Sequence, residues 1–399
     1  MNRARLGFGV PFLIGLGLLF SGAATAQPPD PKNAPVVVIF GFSNKDAADV
    51  REAAAKKHPK GGFFMNENDP SIDQSTKIVD DAALYPGARR VYINDSLLTG
   101  VTDIEVARKK ILDQISAETK GAEDVHFIVN NHGNIRVNKS GQPSGLDFAL
   151  PQSLSFSKDA WSLPPQGAPK KVMAQGQAVA ANQLGDQIVG RADRSGISLT
   201  EILDRLPAKS RSTFCLNSCF SGEAIRSELT SRPANAPGCK DCAVLAASDR
   251  REVAIGGDGP MDRHFQKLKD AAANTDPTDF NKIDLNKDGK ISYREMVRDF
   301  MGPSTGVVSA NKTRIHTSTT PLSSNLVDPK DSGKLVKIDQ TPVHGATGQD
   351  FINDTTVIER KPASKEPIPK LGGVFGAEPS LKASLPEQSP GTSNTNVHK

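Results

Sequence analysis

Long apolar runs are nearly absent from this 399-residue chain. One, "LGFGVPFLIGLGLLF", lies close to the N-terminus, and Gly and Pro break it before it reaches a comfortable membrane span. No second run follows, so no membrane span is expected once the leader is removed. Strong charge of either sign is missing too. The formal net charge is +4. Such a balance gives no electrostatic footprint for nucleic acid or an anionic membrane. Internal repeats are absent. Aromatic residues are scarce beyond about residue 326, where Pro, Ser, Lys, Thr and Gly take over, and that composition predicts a disordered tail over 326–399.

What is present begins with a leader. A basic start, the apolar run and the small residues ending Ala24-Thr25-Ala26 have the layout of a secretory signal peptide over 1–26. No Cys follows the small residues, so a lipid anchor is not indicated, and a secreted or periplasmic location is expected. Removing Arg3 and Arg5 with the leader lowers the formal charge from +4 to +2.

Residues 27–325 read as one α/β domain. "PVVVIFGF" has the continuous β-branched character of a strand covered on both faces. "RVYIND", "DVHFIVNN", "STFCLN" and "CAVLAAS" read as further strands. Helical periodicity lies between them in "DIEVARKKILDQISA" and "SLTEILDRL", the latter with Ser198 and Glu201 spaced as a capping box. A helix is also expected from "SGEAIRSEL". Residues 138–190 read as a loop insertion with one hairpin near "LDFALP". The alternation predicts a mainly parallel sheet with helices on both faces.

In such a sheet, chemistry gathers at the carboxyl ends of the strands. One strand delivers His132 followed by Gly133, and another delivers Cys219 at a Ser-Gly turn whose amides would favour a thiolate. Cys215, between Phe214 and Leu216, reads as a core residue. "FIVNNHGN" and "STFCLNSCFSGEA" together resemble the His-Gly and Cys motifs of the caspase-like cysteine peptidases, the group of caspases, metacaspases and legumains. The likeness runs from about residue 35 to about 300. It implies a three-layer α/β/α sandwich of about six mostly parallel strands acting on a protein or peptide substrate. Cys219 would be the nucleophile and His132 the general acid/base, with the amides of Gly133 and Cys219 as the oxyanion hole. Many metacaspases carry Asp two residues before the nucleophile in a pocket for basic residues, where this chain has Asn217. Asp49 and Asp249 are the other acids that could serve such a pocket.

A second signal is "DLNKDGKISYRE", 284–295, which fits the twelve-residue EF-hand loop. Asp284, Asn286 and Asp288 stand at the first three ligand positions, and Gly289 at the sharp turn. Lys290 offers its carbonyl, Ser292 reaches through water and Glu295 closes with two oxygens. One Ca2+ is the expected cofactor. Similar loops occur late in bacterial caspase-like proteins. The remaining cysteines, Cys239 and Cys242, are expected to form a local disulfide in an exported chain. Two rival readings stay open: a catalytically silent calcium-binding interaction protein on the same scaffold, and a redox protein using Cys239 and Cys242.

Overall fold

The computed structural model describes residues 34–43, 70–137, 143–151, 196–250, 252–328, 331–347 and 355–360. The leader, the segment carrying Asp49 and the chain beyond residue 360 lie outside the described residues.

The first strand, β1 (Val36–Phe40), is buried along its whole length. Its side chains alternate between two cores: Val36, Val38 and Phe40 enter one, Val37 and Ile39 the other. That two-sided burial is why the run carries no polar residue. The parallel partners are β2 (Arg89–Ile93) and β3 (Asp124–Asn130), one on each side of β1.

On one face lie α1 (Pro70–Val79), α4 (Pro260–Ala273), α5 (Thr278–Ile283) and α6 (Tyr293–Met301), contributing Val79, Phe265, Phe280 and Met296 to the core. The other face holds α2 (Ile104–Thr119) and α3 (Leu199–Arg205), through Ile111, Ile115, Ile202 and Leu203. Asp103 caps α2 by accepting from the amides of Glu105 and Val106. Ser198 and Glu201 form the reciprocal capping box of α3. No helix among the described residues is long and apolar enough to cross a membrane.

After β3, an antiparallel sheet of β4 (Gly133–Val137), β5 (Pro143–Ala149) and β6 (Gly196–Ser198) branches off the main one. The expected insertion over 138–190 is therefore partly ordered structure. Leu146 and Phe148 of β5 are fully buried in the same core as β1. The main sheet continues with β7 (Arg211–Asn217), parallel to β3, and β8 (Asp241–Ala246), parallel to β7.

Eight strands, not about six, complete this sheet. Beyond β8 come three antiparallel strands, with β10 (Ser304–Val308) at the edge, β11 (Arg314–Ser318) next and β14 (Val343–Ala346) against β8. The boundary at 326 is corrected by the same observation. The hairpin of β12 (Leu322–Asp328) and β13 (Asp331–Gln340) spans it. β15 (Thr356–Glu359) then pairs with β9 (Lys290–Ser292). β14 and β15 have four residues each, and their stability comes from docking: Val343, Val357 and Ile358 are fully buried. The domain reaches at least Arg360.

Candidate active site

β3 and β7 are adjacent, parallel and in register, with Asn130 opposite Asn217. His132 and Cys219 each stand two residues further on, at matched strand tips. Both line a cavity of about 50 Å3 together with Ser75, Asn130, Asn217 and Ser218. The two motifs meet through Gly133: a Cβ there would lie 2.1 Å from the carbonyl oxygen of Cys219. Glycine is required by this backbone approach, and any side chain would drive the two tips apart.

Cys219 is half-buried, and its Sγ faces the carbonyl oxygen of Ala254 at 3.6 Å. The next residue, Phe220, has φ of 60°, a left-handed conformation unusual for a bulky side chain. The turn is held there because the Phe220 amide donates to Glu252 and the Gly222 amide to Ser248. Strain of this kind persists only where surrounding contacts impose it. Cys215, by contrast, is fully buried, and burial pushes its thiol up to about 12.

The helix expected after Cys219 is present, with Ala224–Leu229 wound as a π-helix closed by the Thr230 amide donating to Ile225. The amides of Gly222, Glu223 and Ala224 donate to the carbonyls of Ser248, Phe220 and Ser221. They are spent within the fold and are not free to stabilise a thiolate at this turn.

The candidate specificity residues separate. Asn217 lines the cavity and is buried. Asp249 does not line it, and its carboxylate takes a two-pronged bond from Arg226 at 2.6 and 3.0 Å. Its charge is thereby balanced by Arg226. Asp49 lies outside the described residues. The residue that sequence reasoning missed is Asp262, at the start of α4. It accepts from Asn217 Nδ2 at 3.1 Å and from Ser75 Oγ at 2.9 Å, and burial raises its carboxyl to about 6. Only an acid in the first turn of a helix opened by Gly259-Pro260 marks it in the sequence.

The loop 284–295 is closed on itself. Gly289 has φ of 82° and donates to Asp284 Oδ2 at 2.9 Å. Asp288 Oδ1 accepts from the Lys290 amide at 2.8 Å, and Asn286 Oδ1 from the Asp288 amide at 3.1 Å. Glu295 reaches back to the Leu285 amide with Oε1 and caps α6 through Ser292 with Oε2. Asp284 and Glu295 are both buried. A hard-cation donor set at every template position, with two buried carboxylates, fits Ca2+. No cluster of three or more His, Cys, Asp or Glu placed to hold a metal occurs among the described residues. The three carboxylates of the loop, Asp284, Asp288 and Glu295, each accept from a backbone amide of the loop.

Cys239 and Cys242 are free thiols, which corrects the expected disulfide. Cys239 Sγ bonds to the carbonyls of Ser210 and Asp241 at 3.1 and 3.2 Å. Cys242 Sγ lies 3.6 Å from Thr347 Oγ1. Both are buried, and burial raises both thiols, that of Cys242 to about 12. Such thiols are poor redox nucleophiles.

No protein-family model matches the sequence, and no curated protein matches it. Among solved structures, protein GSU0716 from Geobacter sulfurreducens aligns with 62% of this chain and 87% of its own, at 11% identity and a TM-score of 0.35. A likeness that loose carries no argument.

Proposed function

We propose that the chain is an exported cysteine endopeptidase with a calcium-binding loop. What supports this reading is one contact: Gly133 packs its backbone against Cys219, so His132 and Cys219 border one cavity at paired strand tips. In the proposed reaction the Cys219 sulfur attacks the scissile carbonyl carbon and displaces the amine, to which His132 gives a proton. The resulting thioester is hydrolysed by a water from which His132 takes a proton. The amides of Gly133 and Cys219 would receive the oxyanion, each worth about 3–4 kcal/mol in sites of this kind.

Ca2+ would be held by Asp284, Asn286, Asp288, the Lys290 carbonyl, Ser292 and Glu295, fixing α6 to the loop. It supplies structural charge neutralisation, and no chemical step passes through it.

The rival, a silent calcium-binding scaffold, has one observation in its favour: the Cys219 thiol is engaged by Ala254. A peptidyl electrophile decides between them. With millimolar Ca2+ present, Cys219 should be labelled in wild type, with slower labelling in His132→Ala and none in Cys219→Ala. Folded wild-type protein that stays unlabelled refutes the peptidase.

A further inference from the structure

The turn that carries Cys219 is held by a residue far from it in sequence. Phe220 keeps its left-handed φ of 60° because its amide donates to the Glu252 carbonyl at 2.7 Å. Two residues beyond Glu252, the Ala254 carbonyl faces Cys219 Sγ at 3.6 Å. The main chain over 252–254 thus meets the turn twice, once at the amide after Cys219 and once at the sulfur.

The Glu252 side chain fastens that stretch of main chain. Its Oε2 accepts from the Thr341 amide at 2.5 Å and from the Asp249 amide at 3.1 Å. Its Oε1 accepts from the Thr341 hydroxyl at 2.8 Å. The Glu252 amide donates to the Asp249 carbonyl at 3.1 Å and closes a turn over 249–252. The three donors on the carboxylate are neutral, so the contact is set by hydrogen-bond geometry. Thr341 stands just ahead of β14, whose Val343 pairs with Ala246 of β8. The Pro342 carbonyl between them takes the Ser318 amide of β11. Glu252 itself does not line the cavity beside Cys219.

We propose that Glu252 is the positioning residue of the Cys219 turn and, through Thr341, ties the place of the sulfur to β14. It touches no reacting atom. It holds Phe220 in a conformation that a bulky residue keeps only under constraint, and it keeps Ala254 against the sulfur. Without its side-chain bonds, 252–254 loosens, the sulfur opens to small reagents and its alignment with His132 is lost. Only the consequence for catalysis rests on the peptidase reading; the fastening of the turn does not.

The test follows alkylation of Cys219 by iodoacetamide against pH, in the full chain with millimolar Ca2+, the modified residue being identified by mass spectrometry. Thr341→Val removes the hydroxyl bond and keeps the amide bond. It should speed alkylation about fivefold, the worth of one ordinary hydrogen bond. Labelling by a peptidyl electrophile should fall at least about tenfold, because a displacement of about 1 Å costs on the order of 100-fold. Thr341→Ser keeps a hydroxyl and should keep both rates. Glu252→Gln can accept both amides with its oxygen and donate its nitrogen to the Thr341 hydroxyl, so its pH profile should overlay that of wild type. A change in Glu252→Gln as large as in Glu252→Ala would mean that charge acts, and overturns positioning. Thr347→Val is the control at the far end of β14. It deletes a hydroxyl that donates to the Lys240 carbonyl and accepts from the Cys242 amide, and should lower Tm with both Cys219 rates unchanged.

Alkylation within about twofold of wild type in folded Thr341→Val, or equal acceleration in Thr347→Val, refutes the proposal. Peptidyl labelling of Thr341→Val at the wild-type rate does so too. A wild-type chain that gives this alkylation pattern but takes no peptidyl label keeps the positioning role and removes the peptidase. Peptidyl labelling of wild type, with alkylation unmoved in the variants, does the reverse.

Discussion

Replacing Gly133 by Ala perturbs the candidate site with a single methyl group. The added Cβ would meet the Cys219 carbonyl oxygen at 2.1 Å, its carbon at 3.2 Å and Leu146 Cδ1 at 3.1 Å. Leu146 can rotate, but a backbone carbonyl cannot. Restoring an ordinary contact of 3.4 Å requires the two strand tips to part by about 1.3 Å. Overpacking of this kind costs about 1–3 kcal/mol, or a fall in Tm of roughly 2–10 °C for a domain this size. A misplacement of about 1 Å between reacting groups costs on the order of 100-fold in rate. The assay is the rate of Cys219 labelling by a peptidyl electrophile, beside calorimetric Tm. Gly87→Ala is the matched control: its φ is 75° with open space around it, so it strains the backbone far from the cavity. Gly87→Ala should lower Tm while labelling proceeds at the wild-type rate. Gly133→Ala with wild-type Tm and labelling within twofold of normal would refute the spacing argument.

Calcium at millimolar concentration should raise Tm, and Asp284→Ala should abolish the rise; an unchanged wild-type Tm sinks the EF-hand assignment. Substituting Val357→Asp in β15, which is fully buried beside the loop strand, should weaken calcium binding measured by titration, although residue 357 offers no ligand. Asp262 carries a carboxyl raised to about 6 from 3.8. The native state therefore holds a proton that the unfolded chain has lost, and this group's contribution falls as pH rises from about 4 to about 6, by at most roughly 3 kcal/mol. Asp262→Asn should flatten that part of the stability–pH curve relative to wild type, and parallel curves would contradict it. Alkylation of the denatured chain without reductant should count four thiols; two fewer would restore the Cys239–Cys242 disulfide.

β1 could be read from its residues because burial on both faces demands an unbroken apolar run, and α3 because Ser198 and Glu201 carry their cap within four positions. Asp262 could not. Its meaning comes from Asn217, 45 residues away, and Ser75, 187 residues away, and no local pattern encodes such meetings. β14 and β15 escaped for another reason. Four residues each, in polar surroundings, they have little periodicity of their own and are stabilised by the strands that receive them. The helix after Cys219 was legible, but its π winding was not, since the bond from Thr230 to Ile225 that closes it has no mark in the run of residues.

β14 lies inside the sheet, wedged between β8 and the β10–β11 pair. The chain must therefore emerge to residue 346 before strands made some thirty residues earlier have anywhere to attach. A ribosome or export channel that holds back this last portion keeps the sheet open at that side. Truncation of the chain ahead of residue 343 would leave β10 and β11 without the strand that joins them to β8. In this molecule assembly of that side of the sheet is licensed from the late end of the chain.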